Sequence, residues 1–215
     1  MKNNITELVF ILDRSGSMAG LEDDTIGGFN SMRSEQKREE GTAYVTTVLF
    51  DTRIDRLHDR LKLEEVPALT EDDYVPGGCT ALLDAVGDTI RHIAGIHKYA
   101  RPEDVPEKTV FVITTDGMEN ASRRWRLEDV KKLIEHEQEK YGWEFLFLGA
   151  NIDAVETAGS MGIRAERTAN FMADTQGLGL AFDAVSQAVS SVQRREAMPM
   201  GWSARVESDH KKRKK

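Results

Sequence analysis

Three segments of the chain are almost continuously apolar and stop abruptly at polar residues: "TELVFILD", "KTVFVITTD" and "WEFLFLGAN". Runs of this length, bounded by turn signals, predict strands buried on both faces of a parallel sheet. The first spans about residues 6–13. A further run, "TAYVTTVLFDT", is rich in β-branched and aromatic residues, and in "RIDRLHDRLKL" polar and apolar residues nearly alternate. Alternation marks a half-covered edge strand. The short Asp51-Thr52-Arg53 connection makes a hairpin, so this edge strand runs antiparallel to its neighbour.

Between these runs the period changes. Residues 22–40 carry a modest apolar face through Ile26, Phe29 and Met32, and Leu82, Val86, Ile90 and Ile93 recur at helical spacing. "LEDVKKLIEHEQEKYG" is a helix with acids in its first turn and Gly142 just past its end. "DAVETAGSMG" reads as a short helix and "IRAERTAN" as a weak last strand. Asp174 caps a final helix with Leu178, Phe182, Val185, Val189 and Val192 in one stripe. Strands alternating with helices imply an α/β fold: a doubly wound, Rossmann-like, mostly parallel sheet with one antiparallel edge strand and helices on both faces. One domain over residues 1–195 accounts for this pattern. Residues 196–215 lose the helical period and end in "KKRKK", which predicts a mobile basic C-terminal tail.

Composition narrows the function. A net charge of −8 over 215 residues argues against nucleic acid as the main partner, except weakly through the basic tail. The single cysteine, Cys79, excludes an internal disulfide framework and a Cys-rich zinc module, and suits a reducing, cytoplasmic location. The apolar run at residues 8–12 is too short for a signal-peptide core or a membrane span, so no membrane association is expected.

Candidate chemistry gathers where the strands end. The first strand runs into Asp13-Arg-Ser15-Gly-Ser17, the loop "GGCTAL" presents Thr80, and "TTDGMEN" presents Asp116. In such folds ligands bind outside the carboxyl ends of the strands, at the point where strand order reverses. Oxygen donors without His or Cys favour a hard divalent cation, Mg²⁺ first, with Mn²⁺ or Ca²⁺ as substitutes.

Asp13-x-Ser15-x-Ser17, Thr80 after a Gly-rich loop and Thr115-Asp116-Gly117 together resemble the metal-ion-dependent adhesion site of von Willebrand factor A-type domains, in the family's order and approximate spacing. The resemblance covers residues 5 to about 193. It implies that Ser15, Ser17 and Thr80 are hydroxyl ligands, while Asp13 and Asp116 act through water or exchange roles with ligand state. It further implies a protein-binding module in which Mg²⁺ takes an Asp or Glu carboxylate from a partner protein. A scaffold with a purely structural metal and a Mg²⁺-dependent phosphohydrolase are the alternatives.

The remaining polar features are read as structural. Cys79 is expected as a small packed residue, Asn151 and Asp153 as helix-capping groups, and Glu119 and Asn120 as loop-structuring groups beside Asp116. Arg123-Arg124-Trp125-Arg126 is read as a solvated helix start. The five histidines, His58, His92, His97, His136 and His210, form no ligand spacing and are expected on helix surfaces or over apolar edges. No phosphate loop and no G-x-S-x-G occurs, and Ser15 stands where a phosphotransfer site would want a second acid, so no catalysis is expected.

Overall fold

The computed structural model describes residues 4–214. Its six strands are β1 (Ile5–Asp13), β2 (Thr42–Phe50), β3 (Ile54–Lys62), β4 (Lys108–Thr115), β5 (Glu144–Gly149) and β6 (Thr168–Asn170). They form one sheet in the order β3-β2-β1-β4-β5-β6, parallel throughout except for the antiparallel β2–β3 hairpin. The expected α/β architecture is therefore present, antiparallel edge strand included.

The helices are α1 (Glu22–Gln36), α2 (Leu82–Tyr99), α3 (Leu127–Tyr141), α4 (Ala154–Ser160), α5 (Thr175–Gln193) and α6 (Ala204–Arg213). Two apolar cores lie on opposite faces of the sheet. Leu8, Phe10 and Leu12 of β1 pack with α1 and α5, whereas Val9 and Ile11 pack with α2, α3 and α4. The period of two along β1 explains its apolar run, since every residue meets a core on one face or the other. Gly142, with φ +66°, closes α3 as expected. Helix α1 ends four residues before the expected 40, and a turn leads through Gly41 (φ +111°) into β2.

The C-terminus differs from its expectation. The stretch read as a mobile tail from residue 196 contains α6, and Met198, Trp202 and Val206 are buried at four-residue spacing. Trp202 Nε1 donates to the Glu166 carbonyl at 2.9 Å, and the Asn170 N–H of edge strand β6 donates to Glu207 Oε1 at 2.8 Å. Arg213 pairs with Asp174, the residue that caps α5. Apolar burial and these bonds hold the segment against the domain. Residues 1–3 of the expected domain and Lys215 of the basic run lie outside the described residues.

His58 lies on the expected edge strand, β3, and is buried with Nδ1 3.0 Å from Thr47 Oγ1; burial pushes its pKa down. Cys79, expected to be packed, is exposed.

Candidate metal centre

Strand order reverses between β1 and β4, and both strands end at the same edge. Asp13 closes β1 and Asp116 follows directly on β4. Because a parallel sheet aligns carboxyl ends, residues that lie 103 apart in sequence become neighbours.

Asp13 is 0% exposed, and both of its carboxylate oxygens are occupied: Oδ1 accepts from the Ser15 N–H at 2.7 Å and Oδ2 from Thr115 Oγ1 at 2.6 Å. Tyr74 donates its hydroxyl to the Asp13 carbonyl. Ser15 Oγ and Ser17 Oγ are 3.2 Å apart, and Ser17 Oγ donates to Asp116 Oδ1 at 2.5 Å. A methyl group on Gly117 would stand 3.2 Å from Thr80 Oγ1 and 3.5 Å from Ser17 Oγ, so the three loops converge on one small volume. All five expected ligands, Asp13, Ser15, Ser17, Thr80 and Asp116, thus come together at one edge.

The loops are locked to each other by backbone bonds. The Gly16 N–H donates to the Gly78 carbonyl at 3.2 Å, and the Gly77 N–H to the Arg14 carbonyl at 2.9 Å. Gly78 has φ +69°, a left-handed conformation that suits glycine, and it brings Cys79 N–H to Thr52 Oγ1 at 2.9 Å. The Thr80 N–H donates to Asn120 Oδ1 at 2.9 Å, while the N–H groups of Asn120 and Ala121 donate to the Thr80 carbonyl. Glu119 accepts from the N–H groups of Leu83, Ala121 and Ser122, which agrees with its expected structuring role. Asp153 caps α4 by accepting from the Glu156 N–H.

Electrostatics favour a cation here. Burial pushes the Asp13 carboxyl above the ordinary carboxylate range, against the pull of its Ser15 and Thr115 hydrogen bonds. Asp116, 3% exposed, is also pushed up by burial; its Ser17 bond opposes the shift and the charge of nearby Asp13 adds to it. Arg14, the nearest cation in sequence, turns away to pair with Asp51 at 3.1 Å and with Asp55. Two buried acids, bridged by hydroxyls and without a cationic partner among the described residues, are the complement of a bound metal ion. Among the described residues no group of three or more His, Cys, Asp or Glu side chains is placed to hold a metal. The five-oxygen set differs in kind, with three neutral hydroxyls and two acids. That chemistry fits Mg²⁺, Mn²⁺ or Ca²⁺.

Several residues support the ligands, Thr115 from within the motif and Tyr74 and Asp84 from outside it. Thr115 and Tyr74 position Asp13, and Asp84 holds the segment after Asp116 by accepting the N–H groups of Arg123, Arg124 and Trp125 at 3.0, 2.9 and 2.8 Å. The Arg123–Arg126 cluster leads into the N-cap of α3 with its arginines exposed, as expected, while its backbone is clamped to α2, and Trp125 Nε1 donates to Asp88 at 2.8 Å. An acid in the first turn of α2, facing a loop that lacks its own acceptors, was the available signal for Asp84.

Neither a protein-family model nor any curated protein sequence matches the chain. Solved structures do. The fold is similar to that of proximal thread matrix protein 1 from the mussel byssus, with a TM-score of 0.58 at 14% identity over 86% of this chain and 46% of that one. That protein has also been solved with zinc in its metal-ion-dependent adhesion motif. A von Willebrand factor type A protein from Catenulispora acidiphila gives 0.58 at 13% identity, over 86% of this chain and 43% of that one. The von Willebrand factor domain of the type V pili tip protein Mfa5 from Porphyromonas gingivalis gives 0.58 at 10% identity, over 86% and 94%. The chain spans less than half the length of the first of these structures. It has the von Willebrand factor A fold.

Proposed function

We propose that this protein is a non-enzymatic, metal-dependent protein-binding module in which Asp13, Ser15, Ser17, Thr80 and Asp116 hold Mg²⁺, with Mn²⁺ or Ca²⁺ as substitutes. The supporting observation is that two buried carboxylates from different loops meet three hydroxyls at one sheet edge with no basic side chain between them. Bound there, the cation supplies a Lewis-acidic position for an Asp or Glu carboxylate of a partner protein.

The chain's own residues set how strong that position is. Asp13 spends both carboxylate oxygens on Ser15 and Thr115, which places it behind the hydroxyls. Neutral hydroxyls in front of it neutralise little positive charge, so an external carboxylate is attracted more strongly than by an all-acid site. Val75 (62% exposed) and Met118 (73% exposed) lie on the loops that carry Thr80 and Asp116, and offer apolar contact around the anchoring carboxylate. A non-enzymatic role is supported by Ser15, which replaces the second acid that a phosphotransfer site would need. A cytoplasmic location belongs to the same proposal, supported by the lone Cys79.

Capture of lysate proteins on the full chain tests this reading. Bound proteins are expected to be retained in Mg²⁺ and released by EDTA, and to be absent on Thr80→Ala that keeps the wild-type circular dichroism spectrum. Equal recovery on wild type and on folded Thr80→Ala would overturn it. Phosphoester turnover that vanishes in Ser15→Ala would replace it with a hydrolase.

A further inference from the structure

At the opposite end of the sheet, below the starts of β4 and β5, a cavity of about 430 Å³ opens between the C-terminal halves of α2 and α3. Its size is that of a pocket for one small molecule. Ala94, Val105, Pro106 and Trp143 form apolar wall, and the Trp143 ring is fixed by stacking on Phe111 at 5.3 Å and by the edge of His97 at 5.3 Å.

Two carboxylates, Glu107 and Glu137, line this space together with Lys98 and the imidazoles of His97 and His136. Glu137 lines the cavity and is 4% exposed, and among the described residues no hydrogen bond or ion pair reaches its carboxylate. A buried carboxylate without a partner is costly unless something supplies one. The nearby cations make contacts with other groups. His97 Nε2 lies 3.3 Å from Glu7 Oε2, Lys98 Nζ sits over the Tyr99 ring at 5.4 Å, and Lys140 Nζ over the Tyr141 ring at 5.0 Å. Burial pushes the Glu137 carboxyl up, and His136, His97 and Lys140 offset this only in part.

We propose that this cavity binds a small organic cation, a protonated amine on a compact apolar or aromatic body, with the Glu137 carboxylate accepting from the ammonium group and Trp143 covering the body. Glu107 and Glu137 set two carboxylates against Lys98 in the lining, and this acidic excess selects an amine over a carboxylate of the same shape.

Phenethylamine and 3-phenylpropionate, alike in shape and opposite in charge, test the site in the full chain. The reporter is the Trp143 indole N–H resonance in ¹H–¹⁵N spectra, assigned by its loss in Trp143→Phe. Phenethylamine is expected to give a saturable shift, and 3-phenylpropionate none. Glu137→Gln should weaken phenethylamine binding by at least about tenfold. No saturable shift, an equal response to 3-phenylpropionate, or unchanged binding by folded Glu137→Gln would overturn the proposal. Should Glu137→Gln fail to fold, wild-type affinity in folded Glu137→Leu would overturn it instead.

Discussion

Thr115 Oγ1 donates to Asp13 Oδ2 at 2.6 Å, tying the last residue of β4 to the last residue of β1 across the point where strand order reverses. The threonine is no ligand in this account, yet it fixes the carboxylate that stands behind the hydroxyls.

Thr115→Val keeps the shape and removes that donor. Mg²⁺ or Mn²⁺ affinity is expected to fall by about tenfold, the worth of one hydrogen bond to a charged group, and stability by about 1 kcal/mol because buried Asp13 Oδ2 loses its donor. Calorimetric titration alongside urea denaturation checks both parts. Unchanged metal affinity would remove Thr115 from the site.

Asp84 accepts three successive backbone N–H groups from the segment after the metal loop. Asp84→Ala should cost about 2 kcal/mol, because the orphaned donors lose their acceptor. Burial alone would raise its pKa, but those donors and Arg124 outweigh it and the net direction is down from 3.8. The stability it contributes is therefore present above pH 3.8 and lost as pH falls through the lowered folded value. Denaturation of wild type and variant between pH 2 and 7 should show the two curves converging at the acid end.

Glu137 has the opposite sign. Its folded pKa is raised from 4.5, so the native state holds its proton longer than the unfolded chain and the penalty grows as pH rises through that window. Glu137→Gln should be more stable than wild type at pH 7, by about 1 kcal/mol, and the advantage should vanish below pH 4.5. Thermal unfolding across this range measures it, and a destabilised variant at pH 7 would contradict the reading of Glu137 as unpaired.

Trp202→Ala examines the docked C-terminus. Removing a buried aromatic that also bonds the Glu166 carbonyl should cost about 3 kcal/mol in urea denaturation. A mobile tail would leave the midpoint where it was.

What the sequence made legible follows from burial. β1, β4 and β5 were readable because each is covered on both faces, so their runs are unbroken. The β3 hairpin was readable from its three-residue connection. The five-oxygen site was readable because short loops at strand ends keep motif residues together, and the parallel sheet brings the loops to one edge. α6 was missed although Met198, Trp202 and Val206 repeat every four residues, because the charged terminus and Pro199 obscured a stripe only three residues long. The supporting bonds of Tyr74, Thr115 and Asp84 depend on which segments meet in space, and no local pattern encodes that.

The central claim is that five oxygens from three loops hold one divalent cation and leave room for a further ligand. Water-proton relaxation during Mn²⁺ titration tests it most directly, because it reports both bound metal and the water that remains on it. Wild type should bind one Mn²⁺ with enhanced relaxation that Mg²⁺ competes away, and the folded Ser15→Ala/Ser17→Ala/Thr80→Ala variant should show none. Equal Mn²⁺ binding by that variant, or a wild-type complex with no exchangeable water, would contradict it.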